Sequence, residues 1–182
     1  MTLTTYKWSI EQWHKLVESG LLEGKPVELL EGEIIEMSPV GVEHSYTIRS
    51  IVKYLRELLA QEAEIIQAQP ITLDNSEPEP DVTIARLPEA IYRTHHPYAQ
   101  DIYWLIEIAN RTLTIDLKQK SRIYARNDIP EYWVIDLVGK KLIVHTQPDN
   151  EKYSQIVEYK TGVVIPQAFP KIAIELDKLL LF

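Results

Sequence analysis

The sequence predicts an α/β domain, in the wider α+β sense, with a mixed β-sheet flanked by helices and an N-terminal helix and β-hairpin leading into it. Three observations carry that expectation. Two long segments have helical apolar spacing, several short runs rich in Val, Ile, Leu and Tyr stand between and after them, and one run is apolar on both faces. With 182 residues and 45% hydrophobic content the chain can bury one sizeable core, and no composition break divides it. Residues 1–182 are expected to form a single domain.

Ser9 and Gln12 make a capping-box pattern and Gly20 ends the segment, which predicts a short first helix. "VELLEGEIIEM" then reads as a hairpin turning at Glu31-Gly32. After Pro39, the residues Ile48, Ile51, Val52, Leu55, Leu58 and Leu59 recur at three-and-four spacing and predict a long amphipathic helix. "EIIQAQ", "ITLD" and "DVTIA" read as strands, the last starting directly after Pro80, and "RLPEAIYRTHHPYAQ" as an irregular connection. "DIYWLIEIAN" is a strand expected to be covered on both faces, with Ile102, Trp104, Ile106 and Ile108 on one side and Tyr103, Leu105 and Glu107 on the other. A basic helix, "LTIDLKQKSRIYARN", follows, and then "EYWVIDL", "KKLIVHT", "YSQIVEY" and "IAIEL" as further strands.

Composition excludes several classes. There is no cysteine, so neither a disulfide framework nor a zinc-thiolate site can form. No basic stretch with an apolar core opens the chain, and no apolar run approaches about 18 residues. A cytoplasmic protein that does not span a membrane is expected. The net charge of −8 argues against a protein that coats nucleic acid without specificity. Charge is uneven, however: Glu dominates residues 1–40, while Arg111, Lys118, Lys120, Arg122 and Arg126 face only Asp116 in residues 110–126. That basic helix could meet a polyanion locally or simply be a solvated face.

Glu107 is the first candidate functional residue, because a buried ionised carboxylate costs several kcal/mol unless it is paired or bound to a metal. On a helical wheel, Leu113, Leu117 and Tyr124 form an apolar stripe with Ile123 at its border, and Lys120 falls inside it. Asp116 and Tyr124 share that side by i, i+4 spacing. Lys120 therefore faces the sheet that holds Glu107. One reading is a buried ion pair of Lys120 with Asp116 or Glu107. The other is a reactive site, since Asp81 follows Pro80 and starts an apolar strand. Two acids near a lysine suit Mg²⁺, which takes one or two carboxylates and fills its other positions with water and phosphate. Lys120 would then hold the attacking water or offset charge on the phosphate.

Pro80-Asp81, Glu107 in an apolar strand and a following lysine resemble the PD-(D/E)xK nuclease superfamily. More closely, "LIEIANRTLTIDLKQKSRIYARNDIPEYWVID" resembles the Uma-type endonucleases, a restriction-endonuclease-like family long filed as a domain of unknown function. Glu107, Thr112-Leu113, Asp116, Lys120, Tyr124, Ile129 to Trp133 and Asp136 carry the match, together with "VELLEGEIIEMSP", His44 and Pro80-Asp81. The resemblance implies a restriction-endonuclease-like fold and a metal-dependent endonuclease acting on nucleic acid, DNA first. Asp81, Glu107 and Lys120 would be catalytic, Asp81 and Glu107 would hold Mg²⁺ or Mn²⁺, and Glu28, His44, Asp116 and Tyr124 would support them.

Two positions depart from the pattern. The superfamily's lysine lies two residues after the strand acid, where this chain has Ala109, and the resemblance assigns its role to Lys120. Family members often have Gly where Asp128 stands, a residue that tolerates a left-handed turn. Duplex cleavage needs two active sites or two events, so a homodimer is compatible with the resemblance. His95-His96 reads as a solvated loop, and "EYW" as core aromatics rather than a base-stacking platform. A competing reading is a non-catalytic nuclease-fold binding or assembly module, favoured by the −8 charge. A two-carboxylate glycosidase suits an inward lysine poorly.

Overall fold

The computed structural model describes residues 4–110 and 112–181; Arg111, counted above in the basic segment, lies outside the described residues. Helix α1 (Ile10–Glu18) starts on the expected capping box: Ser9 accepts from the Gln12 amide and Gln12 answers the Ser9 amide. Strands β1 (Val27–Leu30) and β2 (Glu33–Glu36) form the hairpin, and Glu31 (φ 51°) and Gly32 (φ 76°) make its turn. Two positive φ values in a two-residue turn match the twist of the flanking strands. Gly32 is needed for space as well, because a Cβ there would lie 2.9 Å from the Trp8 carbonyl oxygen.

Helix α2 (Val42–Leu59) buries Ile48, Ile51, Val52, Leu55 and Leu59, the apolar face its spacing predicts. It packs on a six-stranded sheet made of β3 (Glu64–Gln67), β4 (Val82–Ala85), β5 (Ile102–Ala109), β6 (Glu131–Asp136), β7 (Lys141–Asp149) and β8 (Lys152–Tyr159), in that spatial order. All neighbours run antiparallel except β5 and β6, which are parallel with Glu107 opposite Val134. A parallel pair needs a crossover. Residues 110–130 supply it in three helical pieces: α3 (Leu113–Ile115), a π-helical stretch Asp116–Lys120, and α4 (Ser121–Arg126).

The sheet is covered on both faces, as the apolar character of β5 predicts. One core joins Trp104, Ile106, Ile108, Trp133 and Ile135 to α2 and to a final helix, α5 (Leu176–Leu180). The other joins Leu105, Ala109, Tyr132, Val134 and Ile143 to Ile123, Tyr124 and Ala125 of α4. Glu107 alternates with Leu105 and Ala109, so it belongs to this second face. Tyr132 and Trp133 are fully buried in the core. Asp128 takes φ 56° at the helix exit, the left-handed turn expected there.

Four expectations need correction. "ITLD" is not a strand: Leu73 donates to Ser76 and Ile71 to Pro78, so the segment turns back on itself, and Thr72 makes a single bridge to Tyr98. "IAIEL" is a strand only at β10 (Ile174–Glu175), which pairs with the short β9 (Val163–Val164). Leu176, Leu179 and Leu180 then follow helical spacing into α5. In β5, Ile102 and Tyr103 exchange the faces predicted for them, because the β4–β5 register shifts at Ala85, which pairs with Ile102 while Ile84 pairs with Trp104. Tyr103 is the extra residue, and its ring packs 4.9 Å from Phe169. The basic helix, finally, is not uniformly α-helical.

Among the described residues no helix is long and apolar enough to cross a membrane. Leu55→Ala, at a fully buried position of α2, is expected to cost about 2–5 kcal/mol, read as a lower urea midpoint with an unchanged slope. His145 lies at 2% exposure, with Nδ1 3.2 Å from the Tyr132 carbonyl oxygen and its pKa held below the ordinary value by burial. A histidine that resists protonation when folded binds more protons when unfolded, so its contribution to stability is lost as pH falls below about 6.5. His145→Gln should flatten the fall in urea midpoint between pH 7 and pH 5.

Candidate active site

The site forms where the second face of the sheet meets the crossover helix and the hairpin. Asp81 precedes the first residue of β4, fixed by Pro80 before it and by its carbonyl, which accepts from Ala68 N–H at 3.1 Å. Asp81 Oδ2 accepts from the Ile108 amide at 2.7 Å, and Oδ1 lies 2.8 Å from His44 Nε2. His44 sits in the first turn of α2, so that helix delivers an imidazole to the sheet's end. The Ile108 contact brings Asp81 beside Glu107, because Ile108 is the next residue in β5.

Glu107 is 4% exposed and Lys120 8%. Lys120 Nζ donates to Glu107 Oε1 at 2.9 Å, and the Tyr124 hydroxyl donates to the same oxygen at 2.8 Å. Among the described residues Glu107 Oε2 has no hydrogen-bond partner, and it is not among the sealed unpaired polar atoms. Glu28 is buried rather than the surface glutamate that a hairpin suggests. Its Oε2 lies 3.5 Å from Lys120 Nζ and accepts from the Glu79 amide at 3.2 Å.

Asp116 is also buried but makes no ion pair with Lys120 among the described residues. Its Oδ2 accepts from Thr112 Oγ1 at 2.7 Å, and its carbonyl from the Tyr132 hydroxyl at 3.2 Å. The Ser121 amide reaches back five residues to the Asp116 carbonyl, so the i, i+4 geometry assumed for the pair does not hold.

The electrostatics follow from crowding acids around one ammonium. Burial opposes charging Lys120, but Glu107, Glu28 and Asp116 outweigh it and raise its pKa, so the lysine stays protonated. Burial pushes Glu107 well above the ordinary carboxylate range; Lys120 opposes this, while Asp81, Asp116 and Glu28 add to it. Asp116 is raised by burial as well, against Lys120 and the Thr112 hydrogen bond. For His44, burial disfavours charge, yet the hydrogen bond and charge of Asp81 overcome it and raise its pKa. The cluster holds more carboxyl groups than basic ones.

Glu79 is the residue that sequence reasoning missed. Its carboxyl is raised by burial and then by the charge of Glu28. The signal was present: Glu79 stands two residues before Asp81, between Pro78 and Pro80, whose extended backbone keeps i and i+2 on one side. His95 and His96 stay outside the cluster, with the His95 ring stacked on Tyr98 at 4.7 Å.

Residues 10–177 match the family described as "Uma2: Putative restriction endonuclease". The chain belongs to this family. A solved structure of "a putative nuclease belonging to DUF820 from Anabaena variabilis ATCC 29413" is similar in fold, with a TM-score of 0.72 at 16% identity over 94% of this chain and 97% of that one. A comparison with curated proteins finds no match. The six-stranded mixed sheet flanked by helices is thus the fold of a nuclease-like neighbour, and the Uma2 match takes in each of the clustered residues.

Removing one partner of a buried pair leaves the other charge uncompensated. Lys120→Ala is expected to lower stability by about 3–5 kcal/mol in urea denaturation. The double variant Lys120→Met/Glu107→Leu should recover much of that loss. Equal midpoints for the single and double variants would show that the pair is not coupled.

Proposed function

We propose that this Uma2 family member is a metal-dependent endonuclease that hydrolyses phosphodiester bonds, with DNA as substrate and Mg²⁺ or Mn²⁺ as cofactor. The observation that carries the reading is the convergence of Asp81, just before β4, and Glu107, on the adjacent β5, beside the buried ammonium of Lys120. The donor set fits a divalent cation. It is all carboxyl oxygen, and Glu107 Oε2 is unengaged among the described residues. Among those residues no three His, Asp or Glu side chains are disposed to cage an ion. Asp81 and Glu107 would therefore be the protein's ligands, the one or two carboxylates that Mg²⁺ usually takes.

Bound there, the cation would polarise the phosphate and lower the pKa of a water molecule. Lys120 holds its proton beside that position and supplies a fixed positive charge for the developing phosphorane charge, or a donor to the attacking water. Tyr124 fixes the Glu107 carboxylate, His44 fixes Asp81, and Thr112 fixes Asp116. Glu28 holds Lys120 from the hairpin side. A homodimer would bring two such sites to a duplex, and a cytoplasmic location suits a chain free of cysteine.

A second reading, a non-catalytic module that keeps this fold, draws on the same ion pair, because Lys120 is already engaged by Glu107 and Glu28. Two measurements separate them. Supercoiled plasmid with Mg²⁺ or Mn²⁺ should be nicked by the wild type, by Asp81→Ala not at all, and by Lys120→Ala about 10²-fold or more slowly. Calorimetry should show Mn²⁺ binding that disappears in Glu107→Ala. Nicking that is equal in all three proteins would assign the activity to a contaminant and sink the nuclease reading.

A further inference from the structure

The segment 110–126 was the basic stretch singled out by sequence, yet among its described residues three of the four cations are committed within the fold, Lys118 being the exposed one. Lys120 is buried against Glu107 and Glu28, Arg122 pairs with Glu31 in the hairpin turn, and Arg126 lies 4.0 Å from Glu151. A different cationic surface lies on α2. Arg49, Lys53 and Arg56 are exposed at i, i+4 and i+7, on the flank of the helix beside its apolar face. None of them pairs with a carboxylate among the described residues; Arg56 donates to the Ile65 carbonyl at 2.9 Å.

These side chains line a depression of about 380 Å³ between α2 and β3, together with Val52, Glu57 and Gln67. The depression lies on the α2 side of the sheet and runs along β3 toward the strand end where Asp81 stands. Gln67 is paired with Val82, the residue after Asp81, and the neighbouring Ala68 amide donates to the Asp81 carbonyl. The helix itself also makes the connection, since His44 in its first turn holds Asp81. At 1.5 Å per residue, Arg49 to Arg56 spans roughly 10 Å. One strand of a duplex advances about 3.4 Å along the helix axis per phosphate, and successive phosphates lie farther apart than that through space, so the stripe is long enough to meet at least two of them.

We propose that the Arg49–Lys53–Arg56 face of α2 is the docking surface for the sugar–phosphate backbone of a DNA strand whose neighbouring phosphodiester lies at the Asp81–Glu107–Lys120 cluster. The proposal rests on the nuclease reading for its choice of polyanion. Charge complementarity argues for it: in a protein of net charge −8, this groove is lined by Arg49, Lys53 and Arg56 against Glu57, and none of the three cations pairs with a carboxylate among the described residues. The backbone would be bound without base recognition, because the groove offers mainly charge and one amide.

The test is anisotropy of a fluorescein-labelled oligonucleotide titrated with the full-length protein in EDTA across a series of NaCl concentrations, so that binding is read apart from cleavage. Each cation that contacts a phosphate adds about 0.7–0.9 to the magnitude of the slope of log K against log salt. Arg49→Ala/Lys53→Ala should reduce that magnitude by roughly 1.4–1.8, and Lys53→Glu should weaken binding further at every salt concentration. Lys171→Ala/Lys178→Ala, which removes two exposed lysines of the C-terminal segment, should leave the slope unchanged. A wild type that does not bind at low salt, an unchanged slope in Arg49→Ala/Lys53→Ala, or an equal fall in the control would each overturn the proposal. Salt-dependent binding through α2 in a protein that neither binds Mn²⁺ nor nicks plasmid would leave this surface standing and remove the nuclease reading instead.

Discussion

The buried pair of Glu107 and Lys120 ties together three parts of the fold that also share the second core. Glu107 belongs to the parallel strand β5, Lys120 to the crossover that follows it, and Glu28, on the far side of the ammonium, to the N-terminal hairpin. A carboxylate on the inner face of a sheet is tolerated only where a partner is held against it. The crossover must therefore lie over the sheet with its lysine inward, and the hairpin must close the remaining side. Arg122, two residues further on, grips Glu31 in the hairpin turn and reinforces the same attachment at the surface.

That constraint shapes the surroundings. The loop before β4 is braced from both directions: Leu29 and Glu77 exchange backbone hydrogen bonds, and the Glu79 amide rests on Glu28. Asp81 is thus delivered to the end of the sheet on a short, doubly anchored segment, where the Ile108 amide holds one of its oxygens. Each acid has a neighbour that orients it, and these orienting groups come from α2, the crossover and the β5 backbone. Rigid support of this kind keeps a cluster of like charges in place when no counter-ion fills it.

Much of this arrangement could be read from the chain. The capping box at Ser9, the Glu31-Gly32 turn, the face of α2 and the two-sided burial of β5 all follow from local pattern, because each depends on residues a few positions apart. Lys120 was visible for the same reason, as a charge on an apolar stripe. Local pattern says nothing of what Glu28 and His44 touch, because their partners, Lys120 and Asp81, are far away in sequence. Glu79 was hidden in a proline-rich loop that local reasoning treats as solvent-exposed. The exchange of Ile102 and Tyr103 depends on a register shift against β4, which no periodicity within β5 can reveal. The failure of the Asp116–Lys120 pair has a similar origin, since a wheel drawn at a constant step cannot register a change of winding.

The π-helical stretch Asp116–Lys120 amounts to one residue more than an α-helix would need to cover the same turn. It sits directly between the arm that leaves β5 and the α4 turn that carries Tyr124, so it sets the rotational phase of everything after it. Loss of a single residue there would regularise the helix and turn α4 by about 100°. Tyr124 would swing away from Glu107, and Ile123 and Ala125 from the second core. The crossover is accordingly intolerant of length change in this stretch even though its outward side chains are ordinary surface residues. Variation among relatives should therefore run to substitutions within the stretch and avoid insertions and deletions, because the count of residues, more than their identity, keeps the lysine and the phenol aimed at one carboxylate oxygen.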